Sequence, residues 1–378
     1  MKITMATKYY PPVVGGIEAH VRDLSEALVA AGHQVRVVCS NTESRHVEET
    51  INGVEVIRVP RFIEKAATPI ARRYASVLEH EARQSDITHF HFPYPWGEFF
   101  WTRGSVSKKV PYVVTYHTDI VRQKKALALY RPFLARFLDR ASLIMASSPQ
   151  LIEYSPYLSP RKESCRQVDF GLRLDHIADN TAAIQRGREL RASLASTRPV
   201  VLFTGRLVYY KGVDVLVDAM PSVEAEFVVI GSGPLEEEMR ARADMLGVSE
   251  RLHMLGHVSD EDLAAWYHAA DVFVLPSVET SEAFGLVQIE AQAAGTPVVS
   301  TLLKSGVPYA NLDGVTGFSV EVGSAEALAE GVNRILDDPE LALRLSAQAK
   351  ERALTQFSIP RMVENVVKVY EEVFDSGT

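Results

Sequence analysis

Short apolar runs alternate along the chain with segments of helical period. Lys2–Ala6, Val35–Cys39, Ile87–His91, Pro111–Thr115, Leu143–Ala146 and Arg166–Val168 read as buried strands in the first half. Pro199–Thr204, Glu226–Ile230, Leu252–Leu255, Asp271–Leu275, Pro297–Thr301 and Gly314–Val320 read the same way in the second. Between the strands, Val21, Leu24 and Leu28 recur at helical spacing within Ile17–Ala31. Further helices are expected over Pro69–Gln84, Leu235–Leu246, Asp260–His268, Gly285–Ala294 and Pro360–Phe374, and from Ala325 and from Leu341. The last long helix has Met362, Val366, Val369, Tyr370 and Phe374 on one side. Asn52–Pro60 reads as a hairpin or strand insertion, and Phe170-Gly171-Leu172 is a hinge candidate. Strand and helix in alternation predict an α/β chain of doubly wound parallel sheets.

Composition narrows the class. A chain of 378 residues, 47% hydrophobic and 23% charged, is expected to fold as two or three globular domains. No apolar run approaches the ~20 residues that span a bilayer, and Met1–Ala6 is too short for the core of a signal peptide. A cytoplasmic protein is therefore expected. Cys39 and Cys165 have no metal-site or disulfide spacing and read as small buried side chains. The net charge of −8 is unevenly spread. Residues 1–171 hold 23 Lys+Arg against 17 Asp+Glu, a net +6, which leaves −14 for the remainder. The basic half is the one expected to meet an anionic partner, but it carries no recognisable nucleic-acid module, so no nucleic acid is expected.

The candidate chemistry centres on Asp271–Thr301, a strand, polar loop, helix and strand. Free N–H groups at the helix start, from about Phe284 to Val287, with Gly285 leaving approach open, form an anion seat. Glu282 precedes that seat and Glu290 follows it, so each carboxylate could accept hydroxyls flanking a bound diphosphate, as in a nucleotide-sugar. The plain alternative is a surface βαβ unit with two solvated glutamates. The loop after Pro199–Thr204 holds Arg206 and Lys211 between Gly205 and Gly212, a guanidinium fork and an ammonium suited to a diphosphate. His117 follows a strand end, where ligands bind in α/β sheets. His89 and His91 alternate on their strand, and no third ligand is spaced to make a metal site with them. Gly15 and Gly16 can serve a simple turn, and their spacing is not a dinucleotide fingerprint. Asp119–Arg140 is a basic amphipathic segment, expected to break into two helices at Pro132. It fits an anionic membrane surface or a phosphate-bearing lipid acceptor, or equally a solvated charged face.

The stretch SEAFGLVQIEAQAAGTPVVS, with seven residues between Glu282 and Glu290, resembles the donor motif of glycosyltransferase family 4, retaining enzymes of the GT-B fold. Gly205-Arg206-Leu207 with Lys211-Gly212 resembles the family's basic segment, and the glycine loop and His117 occur in the expected order. The run DIVRQKK resembles enzymes that extend bacterial surface polysaccharides, several of them mannosyltransferases. The resemblance implies two Rossmann-like domains facing across a cleft, an acceptor domain over residues 1–170 and a donor domain over 171–359. It also implies that the helix from residue 360 packs back on the first domain, and that closure about the hinge completes the site.

For the site, the resemblance implies that Gly15 and Gly16 admit the distal phosphate and the acceptor, and that His117 lies beside the donor sugar. It places the base at Val258, the diphosphate on Arg206, Lys211 and the Ala283, Phe284, Gly285, Leu286 and Val287 backbone, ribose on Glu290 and the sugar on Glu282. Asp119, Arg122, Lys124 and Lys125 are acceptor candidates. The implied reaction moves a hexose, such as mannose from GDP-mannose, to a hydroxyl of a glycan or lipid-linked saccharide. Neither a metal nor a cofactor is expected, and peripheral attachment at the inner face of the cell membrane is. A nucleotide-sugar epimerase of GT-B architecture and a non-catalytic sugar-nucleotide-binding protein are the competing readings.

Overall fold

The computed structural model describes residues 1–65, 68–104, 110–120 and 124–376. They form two compact units, Met1–Leu172 with the chain from Ile359 onward, and Arg173–Ser358.

The first unit opens with β1 (Lys2–Ala6), α1 (Gly16–Ala30), β2 (Gln34–Ser40), β3 (Val47–Ile51), β4 (Val54–Val59), β5 (Ile63–Lys65) and β6 (Thr68–Ile70). It continues with α2 (Tyr74–Ala82), β7 (Ile87–Phe92), α3 (Pro95–Arg103), β8 (Tyr112–Tyr116), α4 (Lys124–Arg140), β9 (Leu143–Ala146), α5 (Pro149–Tyr154) and β10 (Cys165–Gln167). Among the described residues these make an eight-stranded sheet in the order β10-β9-β8-β7-β1-β2-β4-β3. It is parallel except for β3, which returns antiparallel on β4 through Asn52 and Gly53, both at positive φ. That tight turn is what an Asn-Gly pair favours. Strand order runs outward in opposite directions from the β1/β7 boundary, so the loops after β1 and β7 part there and leave a crevice.

Two expectations are corrected in this unit. The helix expected over Pro69–Gln84 is shorter, because Phe62 N–H reaches the Ile70 carbonyl at 2.9 Å and closes the β5–β6 ribbon first. Pro132 does not divide α4, which passes through it intact. Proline removes one helix hydrogen bond. Burial of Leu134, Phe137 and Leu138 in the aromatic core, the Phe99–Phe133 ring contact and the Tyr112 hydroxyl on the Phe137 carbonyl outweigh that loss.

The second unit consists of α6 (Thr181–Ser193), β11 (Val200–Thr204), α7 (Val213–Ala219), β12 (Glu226–Ile230), α8 (Glu236–Met245), β13 (Leu252–Gly256), α9 (Asp260–Ala269) and β14 (Val272–Leu275). Then follow α10 (Leu286–Ala294), β15 (Val298–Thr301), α11 (Val307–Ala310), β16 (Gly317–Val320), α12 (Ala325–Leu336) and α13 (Pro339–Gln356). Its sheet is parallel, in the order β13-β12-β11-β14-β15-β16. The four central strands, β12, β11, β14 and β15, are fully buried and mostly Val/Ile/Leu/Phe, as a sheet covered on both faces requires. Here the strand order reverses between β11 and β14, and the loops leaving those two strands are the two singled out from the sequence.

The last helix, α14 (Ile359–Ser376), belongs to the first unit. Met362, Val366, Val369, Tyr370 and Val373 are buried with the β1–β2 core, and Arg166 Nε donates to Glu372 at 2.9 Å. Its apolar stripe is what holds it there.

Candidate active site

At the switch point of the second unit, the loop from β11 brings Lys211 against Glu282 in the loop from β14. Lys211 Nζ is 2.5 Å from Glu282 Oε2, with the side chains 10% and 11% exposed. Ser277 Oγ donates to the same oxygen at 3.2 Å, leaving Oε1 for a ligand. Glycines allow this approach. Gly212 sits at φ +65°, and a Cβ there would lie 2.0 Å from the Pro276 carbonyl oxygen, so no other residue lets the two loops meet. Arg206 lies in the same loop, exposed, and among the described residues its guanidinium has no ion-pair partner. A fixed ammonium beside a free guanidinium is a receptor for an anion that arrives from solvent.

Helix α10 points its first turn into this place. Gly285 is its cap at φ +70°, and a Cβ on it would strike Leu275. Ala283, Phe284 and Gly285 are held as a rigid turn, because Gly306 N–H donates to the Ala283 carbonyl at 2.7 Å and Gln288 Nε2 donates to the Phe284 carbonyl at 2.7 Å. The amides of Leu286 and Val287 in the first turn have no partner inside the helix. Glu290, one turn along and partly buried, accepts the Tyr267 hydroxyl at 2.7 Å, while Tyr267 lies 3.3 Å from Thr204 Oγ1. Burial raises the Glu290 carboxyl above its ordinary range, and the Tyr267 bond opposes that. Tyr267 and Ser277 position the two glutamates, yet neither stands in a motif. Only the fold shows them, since Tyr267 comes from α9, 23 residues before its partner.

Val258 lies two residues past β13, an edge strand tied to the Gly231–Ser232 turn by Gly231 N–H on the Gly256 carbonyl at 2.7 Å and by the Ser232–His257 pair at 3.1 Å. Gly231 at φ +127° lets that turn lie on Gly205, where a Cβ would be 2.0 Å from a carbonyl oxygen. The turn and the basic loop are thereby packed together.

The sequence carries one Asp-x-Asp, Asp260-Glu261-Asp262. It is the first turn of α9, capped by Ser259 Oγ and complementing the helix dipole, and Asp262 is paired with Arg186 at 2.8 Å. Its carboxylates serve the helix start.

In the first unit, the glycine loop and His117 flank the β1/β7 switch point. Gly15 is extended at φ 177° and caps α1. A Cβ on Gly15 would meet only the mobile end of Glu18, and one on Gly16 would meet nothing within 4 Å. Neither glycine is demanded by a left-handed backbone.

His117 follows β8, with its amide on the Phe92 carbonyl at 3.3 Å and its ring stacked on Phe170. Its Nε2 is 3.2 Å from His91 Nδ1, and His20 of α1 packs edge-on against both rings. Two further imidazoles stand beside His91, those of His20 and His117, and His89 is not among them. One ring nitrogen each of His20, His91 and His117 lie within 4.8 Å of one another. The sequence hid this because the three come from α1, β7 and the loop after β8, joined only by the parallel register of β1, β7 and β8. His89 does face into packing, between Tyr370 and Thr115 hydroxyls at 2.7 Å each. Burial lowers the pKa of His117 and His91 well below the ordinary imidazole value, and that of His20 to about 4.

Among the acceptor candidates, Asp119 is engaged internally, its Oδ1 accepting the Tyr116 and Ser155 hydroxyls at 2.7 Å each. Arg122 lies outside the described residues, as do the side chains of Lys124 and Lys125.

Two doubly wound domains, one with a cationic loop and a carboxylate pair at its switch point, define the GT-B class of glycosyltransferase. The family model for glycosyl transferases group 1 matches residues 187–352, and that for glycosyltransferase family 4 matches residues 14–155. D-rhamnosyltransferase WbpZ of Pseudomonas aeruginosa is 31% identical over 91% of this chain and 88% of that protein. O-antigen chain mannosyltransferase C of Escherichia coli is 28% identical over 97% of each. The chain belongs to glycosyltransferase family 4. Solved structures share its fold, among them Anabaena HepE in complex with UDP, with TM-score 0.78, 20% identity and coverage of 98% of this chain and 100% of that one. Sucrose-phosphate synthase of Thermosynechococcus elongatus gives TM-score 0.75 at 24% identity, over 99% of each.

Proposed function

We propose that this glycosyltransferase moves a hexose, mannose from GDP-mannose in the first instance, to a hydroxyl of a glycan or lipid-linked saccharide with retention of configuration, in building a cell-surface polysaccharide. The observation that carries the reading is the Lys211–Glu282 pair beside the exposed Arg206 and the start of α10. Lys211, Arg206 and the Leu286 and Val287 amides bind the diphosphate and stabilise the charge that grows on it as the glycosidic bond breaks. The cations take this part without a metal. Glu290, oriented by Tyr267, accepts ribose hydroxyls, and the second Glu282 oxygen accepts a sugar hydroxyl. The base is assigned to the Val258 backbone. His117 contacts the transferred sugar, and Gly15 and Gly16 leave room for phosphate and acceptor. A leaving phosphate oxygen takes the acceptor proton, so neither glutamate acts as nucleophile. That differs from the paired-carboxylate scheme of glycoside hydrolysis.

The saccharide and the surface role rest on the two bacterial relatives named above, a rhamnosyltransferase and an O-antigen mannosyltransferase. Among the described residues no helix is long and apolar enough to cross a membrane. Exposed Arg131 and Arg136 on α4 support peripheral contact with the anionic inner face of the cell membrane. Thermal stabilisation by a panel of GDP- and UDP-sugars tests the donor. Proton NMR of the first product then reads its anomeric configuration. Stabilisation by UDP-sugars alone rejects GDP-mannose, and an inverted product rejects retention.

A further inference from the structure

Three imidazoles converge inside the first unit in a way that sugar binding does not call for. His20, His91 and His117 each place one ring nitrogen within 4.8 Å of the others. Their ring centroids are 5.5, 5.0 and 5.5 Å apart for the pairs 20–91, 20–117 and 91–117. At a Zn–N distance of about 2.1 Å, tetrahedral ligands hold their nitrogens about 3.4 Å apart and their ring centres roughly 5 Å apart. The His91 Nδ1 to His117 Nε2 separation is 3.2 Å. His20 Nδ1 is a buried nitrogen with no hydrogen-bond partner among the described residues, which a folded protein rarely leaves. His89 stacks on His91 at 4.4 Å and is itself fixed by Tyr370 and Thr115, so the cluster rests on a rigid wall. His20 is less buried than the other two.

We propose that His20, His91 and His117 form a tris-imidazole site for a borderline transition-metal ion, Zn2+ in the first place, and that its occupancy inhibits transfer by taking His117 from the sugar. Three neutral nitrogen ligands and an open fourth position suit Zn2+, while Mg2+ and Ca2+ require oxygen ligands that this cluster lacks. The inhibitory part rests on the sugar-binding role proposed for His117. Metal binding does not, so its failure and the failure of the transferase reading are separable.

The test is competition for Zn2+ between the full-length protein and a chromophoric chelator, with circular dichroism to verify that each variant is folded. Wild type is expected to bind one Zn2+ with Kd of about micromolar or tighter and to ignore Mg2+. His91→Gln and the less buried His20→Gln each weaken Zn2+ by at least about tenfold, and exposed His80→Gln leaves it unchanged. In the transfer assay Zn2+ inhibits wild type, EDTA reverses it, and the inhibition midpoint shifts in His20→Gln by the factor seen in binding. Absence of binding tighter than about 100 µM, or equal affinity in folded His20→Gln and wild type, overturns the site. Full transfer activity in the Zn2+-loaded protein overturns the inhibition.

Discussion

Lys211 Nζ stands 2.5 Å from Glu282 Oε2 with both side chains nearly buried, so the cation proposed to meet the diphosphate already has a carboxylate partner inside the fold. A buried pair of this kind is costly to break from one side only, because the survivor is left uncompensated. Lys211 is therefore held in place before a donor arrives, and Glu282, itself held by Ser277 Oγ, fixes it.

The pair makes a stability prediction distinct from catalysis. Lys211→Met and Glu282→Gln singly are each expected to destabilise the protein, on the order of 3 kcal/mol, and the double variant by clearly less than the sum. Denaturant titration of the three variants measures the coupling. Strict additivity would mean that the contact contributes nothing.

Arg206→Ala and Lys211→Ala are expected to lose at least about 100-fold in kcat, the scale for removing one group that stabilises developing charge. The Arg206 variant is the cleaner of the two, since its guanidinium has no ion-pair partner among the described residues and its loss leaves the fold unstrained. A loss of only a few-fold in both would sink the assignment.

Transfer is expected to persist in EDTA, since the cations and the start of α10 are proposed to take the part a metal would play. Loss of activity on chelation, restored by Mg2+ or Mn2+, contradicts this. A rise in activity on chelation instead reports removal of an inhibitory ion from the histidine cluster.

Nucleotide binding and transfer should separate by residue. Glu290→Ala is expected to weaken nucleoside diphosphate binding by roughly 1–3 kcal/mol through loss of a charge-assisted hydrogen bond to ribose. Tyr267→Phe, which removes the hydroxyl that orients Glu290, acts in the same direction by less. His117→Ala keeps most of the nucleotide affinity and loses most transfer. Calorimetric titration beside a transfer assay reads all three, and the reverse pattern for His117 and Glu290 would refute the assignment.

Glu98 gives a pH prediction away from this site. It is buried, accepts Tyr94 N–H at 2.6 Å and the Tyr130 hydroxyl, and burial raises its pKa from 4.5 to about 7. The folded state then holds a proton that the unfolded state releases, so stability falls as pH rises from about 4.5 to about 7 and levels above that. Glu98→Gln removes this loss. Relative to wild type it is expected to gain on the order of 3 kcal/mol between about pH 4 and pH 8, read from denaturation midpoints. An unchanged difference across that range would show that Glu98 titrates normally.

Much of this protein was legible in one dimension. Buried strands declare themselves as apolar runs, and a doubly wound sheet follows from their alternation with helices. The basic loop and the spaced glutamates were visible too, since each lies within one loop or one helix turn, where neighbours in sequence are neighbours in space. Pro132 and the Pro69–Gln84 segment were misread because local propensity yields to tertiary packing, here an aromatic core and a two-stranded ribbon.

Relationships between distant segments were decided by the tertiary structure alone. The partner of Lys211, the tyrosine on Glu290 and the meeting of His20, His91 and His117 depend on strand order and register, which bring the ends of separate strands to one edge of a sheet. The sequence by itself determined which residue types are available for chemistry and on which local elements they stand. Which of them touch was set by long-range burial, a property of the whole sheet that no short window of sequence contains.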